Sequence, residues 1–116
     1  MKIRFKKKSI KIPVKKVSNL RKFTGLMFKQ PKTQNLLFEF NTRESKTIHS
    51  FFVFFSFLAI WLDEKNKVLD FHVVKPFTFA VRSKKEPRKL IEVPLNFKNE
   101  KIIRFFVDKR KGLNRY

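Results

Sequence analysis

Near the start of the chain apolar and polar residues alternate: Ile10, Ile12 and Val14 point one way, with Lys11 and Pro13 between them. A period of two predicts a half-buried strand with a basic solvent face. Pro13 has no N–H to give to a ladder, which places that strand at a sheet edge. Ser18 or Asn19 is suited to cap a short helix through Leu20-Arg21-Lys22-Phe23-Thr24. Gly25, one of only two glycines, is suited to end it. Residues 36–40, 48–55, 57–63 and 68–74 then form four short runs rich in aromatic or β-branched side chains, each bounded by polar residues, and read as strands. Between two of them, Asp63-Glu64-Lys65-Asn66-Lys67 reads as a hairpin turn, with Asn66 the residue to accept a left-handed conformation. Residues 77–81 and 89–93 add two strands, separated by Pro76, Pro87 and Pro94, and 102–107 is a last apolar run. No internal repeat is visible. The pattern predicts a mainly β fold, a compact sandwich or barrel with one short N-terminal helix and basic terminal extensions. A single β domain is expected over 1–108, and 109–116, which lack periodicity, form a basic tail.

The apolar block FFVFFSFLAIWL, residues 51–62, raises the question of a membrane. It is twelve residues long, flanked by His49-Ser50 and Asp63-Glu64. A spanning helix takes about 20 apolar residues, so buried strands are the better reading. The basic start Met1-Lys2-Ile3-Arg4-Phe5-Lys6-Lys7-Lys8 has no apolar segment behind it to make a signal peptide. The chain has no cysteine, which excludes disulfides, thiolate metal sites and cysteine nucleophiles, and fits a cytoplasmic protein.

Charge changes the picture more than composition does. Residues 1–35 carry twelve Lys or Arg and no acid; residues 82–116 carry twelve against four; the middle has five of each. The formal net charge is +20 on 116 residues. An AT-rich genome or a hyperthermophile's surface ion pairs enrich Lys, but both enrich Glu as well, and only nine acids accompany twenty-nine bases. A neutral, Phe-rich middle between cationic flanks points to a polyanionic partner.

Catalytic constellations are weak. His49 and His72 would need to converge with Asp70 or Asp63 to hold a metal, and a lone His beside a buried strand is more often a hydrogen-bonded structural residue. Ser50 and Ser56 lie in apolar runs without a nucleophile elbow, and Asp63-Glu64 belong to a turn. Two glycines exclude phosphate-cradling glycine loops and dinucleotide fingerprints. The expectation is therefore a non-enzymatic protein with no metal and no cofactor.

The order of several motifs resembles a known family, domain of unknown function 192, and in particular its compact archaeal-type members. The resemblance rests on Gly25-Leu26-Met27-Phe28-Lys29, Leu36-Leu37-Phe38-Glu39-Phe40 and Ile48-His49-Ser50-Phe51-Phe52-Val53. It continues in Ile60-Trp61-Leu62-Asp63 with Lys67-Val68, in Pro76, and in Leu90-Ile91-Glu92-Val93-Pro94, over about 18–94. It implies a mostly β, jelly-roll-like fold and no established activity. The chain departs from the family where Phe-Pro-Ile-Asp is common and Phe55-Ser56-Phe57-Leu58 stands here. The glycine-rich ending is likewise replaced by Leu95-Asn96-Phe97 and basic residues.

The remaining functional signal is basic segments interleaved with aromatics. The groups are Lys6-Lys7-Lys8, Lys15-Lys16 and Arg21-Lys22; Lys84-Lys85 with Arg88-Lys89; and Lys109-Arg110-Lys111 with Arg115 and Tyr116. Each phosphate they neutralise releases condensed counterions, so they supply affinity without reading bases; Arg and Tyr116 also stack on unpaired bases. No helix-turn-helix, zinc finger or basic zipper pattern points to duplex DNA. The expected partner is RNA, most sharply rRNA, in a ribosome-bound or ribosome-associated protein beside neighbouring ribosomal proteins. Two other readings stay open: a β-sandwich binding a small ligand beneath Met27, His49 and Trp61, and a peripheral binder of anionic membrane surfaces. Deleting 109–116 is expected to weaken RNA binding while leaving the melting temperature nearly unchanged. A large drop in melting temperature would show that these residues belong to the core.

Overall fold

A computed structural model describes residues 1–17, 34–40, 55–76 and 86–107. The expected helix at 18–24, most of the strand at 48–55, the strand at 77–81 and the tail at 109–116 lie outside the described residues.

The chain opens with a hairpin of β1 (Lys2–Phe5) and β2 (Lys8–Lys11), which form a two-stranded antiparallel sheet. Facing pairs alternate in character: Ile3 opposes Ile10 on the inner side, while Lys2 opposes Lys11 and Arg4 opposes Ser9 on the outer side. The tight turn is Lys6-Lys7, and Lys6 takes φ 56, a left-handed conformation unusual for a side chain with a Cβ. The alternation at Ile10, Ile12 and Val14 does not form one strand. It breaks after Lys11, and Pro13 falls in the connection to β3 (Lys15–Val17), because proline has no N–H for either ladder.

The main sheet has five strands in the order β3-β4-β7-β5-β6, where β4 is Leu36–Glu39, β5 Phe57–Leu62, β6 Val68–Val74 and β7 Lys89–Pro94. Only β3 and β4 run parallel; the other neighbours are antiparallel. The expected turn joins β5 to β6: Asp63 N and Lys67 O are bonded at 3.0 Å, and Asn66 has φ 64. Trp61 faces Asp70 but Leu62 faces Val68, so Leu69 is the extra residue of a bulge in β6.

Every residue of β5 is buried, since both faces of the sheet are covered at its centre. One face presents Leu37, Leu58, Ile60, Leu62, Ile91 and Val93 to Ile3 and Ile12, and to Ile102, Ile103 and Phe106 of a C-terminal helix. The other face is built of Leu36, Phe38, Phe40, Phe55, Phe57, Ala59, Trp61, Val74 and Leu90. The apolar run 51–62 thus ends in a two-sided buried strand. Among the described residues no helix is long and apolar enough to cross a membrane.

The last apolar run is helical. A 3-10 turn at Phe97–Asn99 leads into α1 (Glu100–Phe106), and Asn96 Oδ1 accepts from Asn99 N at 3.1 Å to start it. Ile102, Ile103 and Phe106 fall on one stripe and are buried, while Glu100 and Arg104 pair one turn apart on the outside. The described helix is therefore C-terminal, whereas the sequence reading placed one near the N-terminus. Architecture remains mainly β, in two sheets.

Phe5 fastens the hairpin. Its ring lies 5.5 Å from Phe71, 5.4 Å from Phe106 and 6.3 Å from Phe105, centroid to centroid. Phe5→Ala is expected to cost about 3 kcal/mol in urea denaturation, the low end for a buried phenylalanine because Phe5 is only half-buried. A loss below about 1 kcal/mol would show that Ile3 and the hairpin's backbone bonds hold it instead.

Candidate nucleic-acid interface

The inner face of the β1–β2 hairpin presents Ile3, Phe5 and Ile10 to the core, with Lys8 opposite Phe5 next to the turn, and the other cations lie on the outer face or in the turn. Lys2, Arg4, Lys6, Lys7, Lys8 and Lys11 are all exposed. Lys6 also lies over the Phe5 ring, its ammonium 5.4 Å from the centroid.

Backbone pairing carries this hairpin to one end of the main sheet, where β3, β4 and β5 finish and β6 and β7 begin. Arg4 N donates to Asn66 O at 2.9 Å, and Arg4 and Lys67 lie side by side in a parallel bridge. Asn66 Oδ1 accepts from Lys89 Nζ at 2.6 Å. Lys89 faces Glu39 across the ladder, and Glu39 Oε1 lies 3.2 Å from Lys16 Nζ. Arg88 N donates to Leu62 O at 2.9 Å, and its guanidinium reaches Glu64 at 3.6 Å. Asp63 caps the turn, its Oδ1 accepting from Lys65 N at 2.8 Å and Lys67 N at 2.9 Å. This sheet end gathers Arg4, Lys16, Lys65, Lys67, Arg88 and Lys89 with the carboxylates Glu39, Asp63 and Glu64; Glu86 stands two residues before Arg88, and Lys6, Lys7 and Lys8 follow Arg4 along the β6 edge. Such exposed ion pairs are worth no more than about 1 kcal/mol each, so they leave the cations available to a stronger polyanion.

Of the residues the sequence singled out, Lys16, Arg88 and Lys89 come together here, while Lys6, Lys7 and Lys8 follow Arg4 along the neighbouring β6 edge. Lys15 does not: its N–H donates to Asn35 O at 2.8 Å, toward the far end of the sheet. Arg21, Lys22, Lys84, Lys85, Lys109, Arg110, Lys111, Arg115 and Tyr116 lie outside the described residues. Sequence reasoning missed Arg4, Lys65 and Lys67. They stand singly or in a turn, and only the Arg4–Asn66 bond brings them beside the lysine runs.

The sheet's aromatic face carries its own polar residues. Asp70 faces Trp61, and His72 and Glu92 face Ala59 from opposite sides. His72 Nε2 lies 3.3 Å from Asp70 Oδ2, and its ring meets Trp61 edge-on at 5.5 Å. Trp61 is fully buried, and its Nε1 has no hydrogen-bond partner among the described residues. No group of three metal-ligating side chains occurs among the described residues. Asp63 is taken up by its turn. His49 and Met27 lie outside the described residues.

Fold and charge together define a small, mainly β protein with a cationic sheet end. The chain belongs to the family DUF192, described as an uncharacterized ACR, whose model matches residues 1–104. It is similar to UPF0127 protein PH1112 of Pyrococcus horikoshii, 35% identical over 95 residues, 81% of each chain. It is also similar to UPF0127 protein PF1050 of Pyrococcus furiosus, 31% identical over 91 residues, 77% of this chain and 78% of that one. No solved structure matches the chain.

Asn66 supplies both a left-handed backbone and a side-chain acceptor. Asn66→Gly loses only the bond to Lys89, a cost of about 1 kcal/mol. Asn66→Ala loses that bond and adds the left-handed penalty of about 1–2 kcal/mol. Equal losses for the two variants in urea denaturation would show that the conformation at residue 66 is not what holds this turn.

Proposed function

We propose that the protein is a small, non-enzymatic RNA-binding protein of the cytoplasm. On this reading it is ribosome-bound or ribosome-associated, and it contacts rRNA phosphates through its cationic surface. One observation carries the reading: cations from four separate chain segments gather at one sheet end, tied by the Arg4–Asn66–Lys89 contacts. Gathering like charges is costly in isolation and favourable against a dense polyanion, whose condensed counterions are released on contact. The turn exposes Lys6, Lys7 and Lys8 along the β6 edge, beside the sheet end that holds Lys16, Arg88 and Lys89. The acid-poor segments at 18–35 and 109–116 add to the same charge.

Affinity for single-stranded RNA is expected to fall linearly with the logarithm of salt concentration, with a slope of about −0.7 for each phosphate contact. Replacing Lys6, Lys7 and Lys8 together by Gln should flatten the slope by about 2, three contacts' worth. A wild-type slope near zero in a filter-binding or anisotropy titration would exclude this mechanism.

A further inference from the structure

The end of the sheet opposite the cations holds a second feature of different chemistry. There the start of β4, the residues before β3 and the 3-10 turn enclose a cleft of about 240 Å³, lined by Pro13, Val14, Gln34, Asn35, Asn96, Lys98 and Asn99. It is smaller than the roughly 300–1,000 Å³ sites that take drug-sized ligands, so its occupant is a fragment about the size of one ring system. Four of the lining residues are amides, and none is a carboxylate.

We infer that this cleft, with Phe97 beside it, holds one unpaired base of single-stranded RNA; the inference rests on the RNA-binding reading above and places a base-specific subsite within it. Asn and Gln each present a donor and an acceptor side by side, the pattern that pairs with base edges. The wall is rigid: Asn35 Nδ2 donates to Pro13 O at 2.9 Å, and Asn99 Nδ2 donates to Pro94 O at 2.7 Å. Asn35 is 5% exposed, and its Oδ1 is screened from water with no hydrogen-bond partner among the described residues. A buried acceptor in that state carries a penalty. The amides open to a base edge are those of Gln34 and Asn96, which are not buried. Pro13 and Val14 give the ring an apolar wall.

Phe97 adds the second, independent observation. It is 76% exposed, in a protein that buries most of its described apolar side chains, and it stands between Asn96 and Lys98 of the cleft lining. So exposed an aromatic ring, with Lys98 and Lys101 on its own turn and helix, is a platform on which a base stacks while the cations take its phosphates.

The test compares an unstructured ten-nucleotide RNA with a blunt RNA duplex of the same length. Phe97→Ala, fold-safe at so exposed a position, should weaken single-strand binding roughly tenfold to a hundredfold and leave duplex binding unchanged, and Phe97→Trp should restore it. Equal losses on both RNAs, or no loss on either, would overturn the subsite and leave the phosphate-binding reading standing. Should wild type bind neither RNA, that reading falls, and adenosine monophosphate decides the cleft alone. Amide shifts at Gln34, Asn35 and Asn99 in an NMR titration would support a nucleotide site there, and their absence would remove it.

Discussion

Asn66 is the residue on which the cationic end depends. Its left-handed backbone closes the β5–β6 turn and aims its carbonyl at Arg4 N, which brings the first hairpin to the sheet. Its side chain reaches the other way to Lys89 at the start of β7. Glycine would take the conformation without strain but offers no acceptor, and most other residues with a Cβ resist the conformation. Asparagine meets both demands. Glu39 and Glu64 limit the mutual repulsion of these cations through ion pairs, and Asp63 caps the turn.

Much of this architecture is legible in the sequence, for a physical reason. Strands buried on one or both faces need unbroken or alternating apolar residues, and 57–62, 68–74, 89–94 and 36–39 supply them. The turn at 63–67 shows itself through Asn66. The β1–β2 hairpin hides because Ile3, Phe5 and Ile10 are diluted by lysines and its turn, Lys6-Lys7, contains none of the usual turn residues. The helix at 100–106 was open to a reading of period: Ile102, Ile103 and Phe106 are spaced for one helical face, with Asn96 positioned to start the turn before it. The cationic cluster was legible in kind but not in membership. Its lysine runs are local, whereas Arg4, Lys65 and Lys67 join them only through pairings between residues some sixty positions apart.

On the RNA-binding reading proposed above, the two ends of the sheet use different physics. They are separated by the six residues of β7, about 20 Å at roughly 3.3 Å per residue. At one end the forces are long-ranged, screened by salt and indifferent to sequence. At the other they are short-ranged contacts of a ring and four amides, which salt barely touches. Backbone contacts and specificity are divided in the same way across many nucleic-acid interfaces. In this proposal the sheet itself sets the spacing between the two.

The place of β7 has a consequence for how the molecule is made. It is the last strand of the described chain, yet it lies between β4 and β5 and supplies the hydrogen-bonding partner of each. Until residue 94 has emerged during synthesis, β4 and the β5–β6 hairpin are separate pieces with open, apolar flanks. The nascent polypeptide must keep two sticky edges apart while the keystone is still being translated, so its folding is slow for its length.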